Sequence, residues 1–480
     1  MTQEAALAAS FRDPAGHLFE IDGQIYRQIN ARYFEHYRAL MDSGLYASLT
    51  QSGRLIPHEE RPDMAPDAAT LIIEPEQIGY ISYPYEWCFS QLKDAALLTL
   101  DIQQTAIEHG LSLKDASAFN VQFHGGRATF IDTLSFETLD PTRPWVAYRQ
   151  FCQHFLGPLA LMSYADPRAR KLMLGFIDGI PLDLSARLLP GRSRLRYSLL
   201  AHIHLHARAQ ERHADAAQLA TADSQPTPMS SKPMSKDLLT ALISSLRNAI
   251  EKCALPGSLA TEWGEYYEAT NYSLDSMTNK ETLVAQQLQK HTPSNGTVHD
   301  LGANTGRFSR IASQHANLVV SHDIDELAVE QNYLALRAAN QHAKSAGSLL
   351  PLVLDLTNPT PAIGWHNEER SAFKERCRAD TLLALALIHH LAISNNTPLA
   401  KIAASFAELT EVLIIEFVPK GDSQVDRLLA TREDIFNQYD QVNFEAAFAE
   451  HFDLLEQHPV EGSQRVLYSF KAKRPTGAAS

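Results

Sequence analysis

Short apolar runs alternate with longer mixed segments through the second half of the chain. Five of these runs predict buried strands: TVHDLG, NLVVSHDID, LLPLVLDL, DTLLALAL and EVLIIEFV. Helical segments stand between them, including one predicted from about Glu326 to Ala343. The final stretch, FDLLEQHPVEGSQRVLYSFKAK, predicts two strands around a turn at Glu461 and Gly462. This order predicts a parallel α/β sheet that closes with an antiparallel hairpin.

A segment without apolar periodicity divides the chain. Residues 214–236, ADAAQLATADSQPTPMSSKPMSK, are rich in Ala, Ser, Thr and Pro and contain no aromatic residue, which is typical of a linker. A chain of 480 residues is also too long for one ordinary core. We therefore predict an α+β domain over residues 1–213 and an α/β Rossmann-like domain, with a helical lead-in, over residues 237–480.

Composition is typical of a globular protein and argues against several classes of partner. Apolar residues make up 45% and charged residues 20% of the chain. The net charge of −14 disfavours a broad phosphate-binding face, so we predict no nucleic-acid partner. No run approaches the roughly 20 apolar residues of a membrane span, and no signal-peptide pattern opens the chain, which predicts a cytoplasmic protein without a membrane partner.

The cysteines also favour a reducing compartment. No CxxC pair occurs, and the four cysteines stand far apart: Cys88, Cys152, Cys253 and Cys377. This spacing indicates buried free thiols and argues against a metal site.

A glycine turn follows the first strand of the second half. It reads GANTG, from Gly302 to Gly306, and leads into a helix. A strand, a glycine turn and a helix N-terminus let the backbone approach a ligand closely. Dinucleotide sites use G-x-G-x-x-G, but Ala303 and Asn304 stand where the middle glycine would be. The turn is therefore less open to a diphosphate.

Acidic residues end the next two strands. Asp323 could accept hydrogen bonds from both hydroxyls of a ribose, and Asp355 could accept one from an adenine amino group. Together, DLGANTGRFS, SHDID, LVLDLTNP and LALALIHHL resemble four motifs of the class I S-adenosylmethionine-dependent methyltransferases. The resemblance extends from about Trp263 to Lys473 and includes the terminal hairpin.

This resemblance implies S-adenosyl-L-methionine as the cofactor and no metal in this domain. The residues that it implies are Asp300, Gly302, Asn304 and Gly306 at the turn and the methionine part, Asp323 at the ribose, Ile324 against the adenine, and Asp355 near the adenine amino group. A nicotinamide enzyme and a Rossmann-like domain without a ligand remain the alternatives.

Three residues are candidates for the chemistry of transfer. Methyl transfer is an in-line displacement, so the protein aligns a nucleophile and sometimes removes its proton. His389 and His390 follow the fourth strand and would act either as a general base or as pocket wall. Glu416 ends the apolar fifth strand, where a carboxylate should be functional or ion-paired, with Lys420 as the expected partner.

Four aromatic residues precede this domain's first strand. They are Trp263, Tyr266, Tyr267 and Tyr272, and they would either cover the cofactor or acceptor or serve in packing. The acceptor is predicted to be a small molecule, and neither its identity nor the oligomeric state follows from the sequence.

The first half carries a different set of polar residues. In LKDASAFNVQFHGGRATFID, Asp115 and Asn120 precede a predicted hairpin that delivers Asp132. Two carboxylates and an amide at one end of a strand pair suit a magnesium-bound nucleotide triphosphate. This segment resembles the catalytic loop of protein-kinase-like folds of the aminoglycoside-phosphotransferase type. The resemblance implies ATP and Mg²⁺, with Arg27 in place of the phosphate-contacting lysine and Glu35 as its partner.

Departures from the kinase pattern leave the activity of this domain open. DTL replaces Asp-Phe-Gly, and an arginine does not substitute freely for a lysine. We therefore expect a small-molecule methyltransferase whose kinase-like domain binds substrate or regulates. A bifunctional kinase and methyltransferase, or a non-catalytic nucleotide-sensing scaffold, are the alternatives.

Overall fold

The computed structural model describes residues 6–65, 70–207, 235–256, 274–340, 348–430 and 432–473. The chain divides into two compact units. The first unit comprises Met1–Leu259 together with Ile363–Arg370, and the second comprises Ala260–Ala362 and Ser371–Ser480. Within the described ranges, no helix has the length and apolar character that crossing a bilayer requires.

The first unit contains a four-stranded antiparallel sheet and two small strand pairs. The four strands lie in the order β1-β2-β4-β3, and β5 pairs with β8 and β6 with β7. The strands are β1 (Gly16–Ile21), β2 (Gln24–Asn30), β3 (His58–Glu60), β4 (Thr70–Pro75), β5 (Leu111–Leu113), β6 (Val121–His124), β7 (Arg127–Phe130) and β8 (Phe136–Thr138). The β6–β7 pair confirms the hairpin that the sequence predicts between Asn120 and Asp132.

Nine α-helices are described in the first unit. They are α1 (Phe34–Asp42), α2 (Leu45–Gln51), α3 (Phe89–Glu108), α4 (Tyr148–Phe151), α5 (Gly157–Tyr164), α6 (Leu172–Gly175), α7 (Leu182–Leu188), α8 (Tyr197–Leu199) and α9 (Lys236–Glu251). The twenty-residue α3 has thirteen buried residues, which makes it the central helix of this unit.

The last of these helices corrects the predicted domain boundary. We expected α9 to lead into the second domain, but it packs against α3, and Arg247 forms an ion pair with Asp101 of α3. Its buried residues recur at helical spacing and include Leu239, Ile243, Leu246 and Ile250. This apolar stripe is buried against the first unit. Residues 214–234 of the predicted linker lie outside the described residues.

A seven-stranded sheet forms the centre of the second unit, in the order β11-β10-β9-β12-β13-β15-β14. Its strands are β9 (Thr297–Leu301), β10 (Leu318–Asp323), β11 (Ser348–Val353), β12 (Ala379–Ala384), β13 (Thr410–Phe417), β14 (Phe452–Pro459) and β15 (Val466–Ala472). The first five pair in parallel, whereas β15 is antiparallel to both β13 and β14. The predicted parallel sheet with a terminal antiparallel hairpin is confirmed.

Helices cover both faces of this sheet. They are α10 (Leu274–His291), α11 (Arg307–Ala312), α12 (Glu326–Asn340), α13 (Phe373–Arg376), α14 (Leu399–Leu409), α15 (Ser423–Leu429) and α16 (Gln441–Ala449). Alternate strand residues enter opposite cores: Leu413 and Ile415 pack with α14 and α16, whereas Ile414 packs with α10 and α11. Glu416 therefore lies on the face that α10 covers.

Candidate functional site

The glycine turn has the backbone conformation that the sequence predicts. Gly302, Asn304 and Gly306 have φ angles of 77°, 49° and 78°, in the region that favours glycine. A Cβ atom on Gly306 would lie 2.1 Å from Oδ1 of Asn332, so this position has no room for a side chain. The turn leaves β9 where the strand order reverses between β9 and β12, which is where parallel α/β sheets bind ligands.

A pocket of about 250 Å³ opens at this edge of the sheet. Seven of the residues predicted for the site line it: Asp300, Gly302, Asn304, Asp323, Ile324, Asp355 and His390. Three others do not, namely Gly306, His389 and Glu416. The wall also includes residues that sequence reasoning missed: Met277, Lys280, Phe308, Leu387, Ser394 and Asn395.

The Asp323 carboxylate joins the glycine turn to the end of β10. The backbone N–H of Asn304 donates to Oδ2 of Asp323 at 2.7 Å, and that of Asp325 donates to Oδ1 at 2.8 Å. Burial raises the pKa of Asp323 to about 6, although these backbone donors favour the ionised form. The carboxylate is therefore fixed in place while it faces the pocket.

Asp300 is a second buried carboxylate at the glycine-turn end. It is 2% exposed, and the hydroxyl of Ser309 donates to Oδ2 at 2.6 Å. Burial raises the pKa of Asp300 to about 6; the nearby Asp323 charge adds to this shift, and Lys280 opposes it.

The pocket lining that follows β10 and β11 contributes an apolar wall and a third carboxylate. Ile324 is 52% exposed and lines the pocket together with Leu354 and Leu356. Asp355 Oδ1 accepts from the backbone N–H of Thr357 at 2.9 Å and from its hydroxyl at 2.6 Å. A flat aromatic ring and an exocyclic amino group suit such a surface.

A chain of alternating charges runs inward from the pocket wall. Nζ of Lys280 donates to Oε2 of Glu416 at 2.7 Å, and the side chains are 3% and 0% exposed. Arg465 lies 3.8 Å from the same Glu416 oxygen and donates to Asp422 at 2.7 and 3.0 Å. The expected Lys420–Glu416 pair is wrong, because Lys420 donates to Asp434 at 2.9 and 2.7 Å.

The two histidines after β12 have different surroundings. His390 lines the pocket, and burial lowers its pKa to about 4, so it is neutral at pH 7. His389 lies behind it at a ring-centroid distance of 4.1 Å, with no exposed surface. In the part of the chain that the structure describes, neither ring nitrogen of His389 has a hydrogen-bond partner. Of the pair, only His390 can meet a ligand in this pocket.

The predicted residues of the first unit also lie together. Arg27 of β2 forms an ion pair with Asp132, and the hydroxyl of Ser135 donates to the same carboxylate. Burial alone raises the pKa of Asp132, but the Arg27 charge and the Ser135 hydrogen bond bring it below its ordinary value. The expected Arg27–Glu35 pair is wrong, because the second carboxylate near Arg27 is that of Asp13, at 3.8 Å.

Asp115 lies close enough to Asp132 for their charges to interact. Burial and the Asp132 charge raise the pKa of Asp115, whereas hydrogen bonds from Gln150 and Asn120 oppose that shift. Asn120 donates to the hydroxyl of Ser135 at 3.1 Å, which links it to the Asp132 side of the cluster. Two carboxylates, an amide and a guanidinium are thus assembled in one place.

Two further expectations concern groups elsewhere in the chain. The aromatic set Trp263, Tyr266, Tyr267 and Tyr272 lies outside the described residues. The four cysteines are buried free thiols, as the sequence predicts. Over the described ranges, no group of three or more His, Cys, Asp or Glu side chains is arranged to hold a metal ion.

Comparison with known proteins gives a relative along nearly the whole chain. No family model matches this sequence. Nodulation protein NoeA from Rhizobium meliloti (strain 1021) is 33% identical over 470 residues, which cover 97% of this chain and 96% of NoeA. The chain therefore belongs to the same family as NoeA.

Solved structures similar to part of the chain include methyltransferases. N-methyltransferase NodS from Bradyrhizobium japonicum WM9 is 9% identical and has a TM-score of 0.31, covering 42% of this chain and 98% of NodS. Magnesium protoporphyrin IX methyltransferase ChlM from Synechocystis PCC 6803, with bound S-adenosylhomocysteine, is 15% identical with a TM-score of 0.31, covering 44% of this chain and 93% of ChlM. The strand order and register of the chain's own sheet define the fold of the second unit.

Proposed function

We propose that the second unit is an S-adenosylmethionine-dependent methyltransferase that acts on a small-molecule acceptor. The observation that carries this proposal is one pocket, at the reversal of the strand order, that joins the glycine turn to Asp300, Asp323 and Asp355. Asp323 suits the ribose hydroxyls, and Ile324 with Asp355 suits an adenine. Asp300 lies at the other end, where the amino-acid part would bind.

The charges of the pocket favour this cofactor over a dinucleotide. Among the described residues that line the pocket, three are aspartates and one is a lysine, and His390 is neutral at pH 7. A sulfonium and an ammonium group are attracted to such a surface, whereas a diphosphate is repelled. The helix that follows Gly306 has six residues, and Asn332 packs against Gly306 at its start. The helix N-terminus therefore has little room for a diphosphate, which adds to this preference.

The residues of the pocket would mainly bind and orient the reactants. Bound S-adenosylmethionine would supply the methyl group from its sulfonium. The wall formed by Met277, Phe308, Leu387 and Leu391 would exclude water from the nucleophile. The neutral ring of His390 would accept a hydrogen bond or a proton from the acceptor, so it would serve either as a base or as pocket wall.

Isothermal titration with S-adenosylhomocysteine tests the cofactor assignment. Asp323→Ala removes the proposed ribose ligand, which should cost about 3 kcal/mol, or roughly 100-fold in affinity. The matched control is Asp453→Ala, which removes an exposed aspartate of the same unit outside the pocket. Wild-type protein that binds NAD but not S-adenosylhomocysteine would refute the proposal, as would unchanged affinity in Asp323→Ala.

The first unit supports a second candidate function, in which a kinase-like site binds ATP and Mg²⁺. The observation in its favour is the cluster of Asp115, Asn120, Asp132 and Arg27, because two carboxylates and an amide can coordinate magnesium and a cation can contact phosphate. ATP·Mg titrated into wild type, Asp132→Asn and Asp115→Asn tests it. Binding that depends on Asp132 and turnover that depends on Asp115 support a bifunctional enzyme. Binding without turnover supports a sensor, and no binding supports a degenerate domain.

A further inference from the structure

Lys280 is the cation among the described residues of the pocket wall, and the fold brings it close to residues that are distant in the sequence. It lies on α10, and its Nζ is 4.8 Å from the ring centroid of Phe308, the second residue of α11. Its partner Glu416 is 136 residues away in the sequence. Asp300 and Glu416 lie on the sheet face that α10 covers, since they alternate with Leu301 and Ile415 of the opposite core. Lys280 is therefore held at the glycine-turn end.

The network behind Lys280 explains how this cation can also serve a ligand. A buried lysine with one carboxylate would leave that carboxylate uncompensated if the lysine turned to another anion. Here Arg465 also lies near Glu416, at 3.8 Å, and is itself fixed by its two hydrogen bonds to Asp422. Glu416 consequently keeps a neighbouring cation whether or not Lys280 shares its charge with a ligand.

Two charges of opposite sign thus meet at one end of the pocket. The carboxylate of Asp300 and the ammonium of Lys280 both line it, and each influences the ionisation of the other. This pair is complementary to the ammonium and carboxylate of a free α-amino acid. S-adenosylmethionine carries that zwitterion on the far side of its sulfur from the adenosine.

We propose that Lys280, supported by Glu416 and Arg465, binds the carboxylate of the cofactor's amino-acid part, with Asp300 facing its ammonium. This inference rests on the proposed function of the second unit and identifies a residue that sets which thioethers and sulfoniums the pocket accepts. A ligand with the same adenosine but no amino-acid part should gain nothing from Lys280.

The test compares S-adenosylhomocysteine with 5′-methylthioadenosine, which lacks the amino-acid part, by isothermal titration of the full chain. Lys280→Met should weaken S-adenosylhomocysteine by about 10- to 100-fold, the value of a charge-assisted hydrogen bond, and leave 5′-methylthioadenosine within twofold. Lys280→Arg keeps the positive charge and should therefore lose less affinity than Lys280→Met. Lys290→Met, on the same helix but outside the pocket, is the matched control.

A second variant covers the case in which Lys280→Met leaves Glu416 too poorly compensated for folding. Lys280→Met/Glu416→Gln removes both charges of the pair, and the same selective loss of S-adenosylhomocysteine should follow. Equal weakening of both ligands, or of neither, would overturn the inference while leaving the proposed function intact. Wild-type protein that binds neither ligand would instead overturn the proposed function, and this inference with it.

Discussion

Cofactor affinity should depend on pH through Asp300 and Asp323. Both carboxyl groups have pKa values raised to about 6 by burial, and both must be ionised to face an ammonium group or two ribose hydroxyls. A group with a pKa of about 6 is ionised in roughly one molecule in ten at pH 5. Since apparent affinity scales with the competent fraction, each required carboxylate should weaken S-adenosylhomocysteine about tenfold between pH 7 and pH 5. The two together give about a hundredfold.

The same shifts fix the sign of the effect on stability. An ordinary aspartate has a pKa near 4, whereas these two have pKa values of about 6 in the folded protein. Between those two pH values, each carboxyl group holds a proton in the folded protein that the unfolded chain has released. The ligand-free protein is therefore stabilised below pH 4 by each such group and loses that contribution as the pH rises to 6. A shift of about two units corresponds to roughly 3 kcal/mol per carboxyl group. Stabilisation by the ligand should be largest above pH 6, because both carboxyl groups are then already ionised before the ligand binds.

Isothermal titration between pH 5 and pH 8, in buffers of different ionisation enthalpy, measures both the affinity and the protons released. Asp323→Asn should remove about one tenfold step from the profile. 5′-Methylthioadenosine should respond to Asp323 but not to Asp300, because it has no ammonium group. An affinity for S-adenosylhomocysteine that stays within twofold from pH 5 to pH 7 would refute the assignment of these carboxylates to the cofactor.

Three further substitutions test the packing within the two units. Gly306→Ala places a Cβ 2.1 Å from Asn332 at a φ of 78°, so we expect a loss of at least about 2 kcal/mol in urea unfolding, and a smaller loss in Gly306→Ala/Asn332→Ala. Phe444→Ala removes a fully buried ring and should cost about 3–5 kcal/mol in the same measurement; a cost under 1 kcal/mol would contradict the described core. Asp132→Ala leaves the half-buried Arg27 with only the more distant Asp13 carboxylate and should lower the melting temperature of the first unit, whereas Arg27→Met/Asp132→Ala should recover part of it.

Local sequence was sufficient to predict the strands and the turn that form the pocket, but not the pairing of the charged residues around it. The glycine turn and Asp323 were predictable because a strand end, a turn and the next strand end are determined within about twenty residues. Lys280 could not be predicted from local sequence, because its ion-pair partner Glu416 is 136 residues further along the chain. Lys420 was expected to pair with Glu416 on proximity alone, but the alternation of β13 turns Glu416 towards α10.

The histidine pair shows the same limit at shorter range. Sequence reasoning placed His389 and His390 equally near the acceptor, but neighbouring residues in a helical turn point in different directions. The structure turns His390 into the pocket and buries His389 behind it. In the first unit, Asp115, Asn120 and Asp132 were grouped correctly because a short hairpin connects them, whereas the boundary at α9 depended on packing against α3.

The position of β15 has a consequence for how the protein is made. This strand lies between β13 and β14, so an interior strand of the sheet is among the last described segments of the chain to be synthesised. Until it is inserted, β13 has an open edge, and Arg465, which immediately precedes β15, has not reached Glu416. The ribosome must therefore release nearly the whole second unit before Arg465 can place its charge beside Glu416 and Asp422. A nascent chain stalled before Val466 would expose a hydrophobic strand edge, the feature that chaperones and proteases recognise in unfinished proteins.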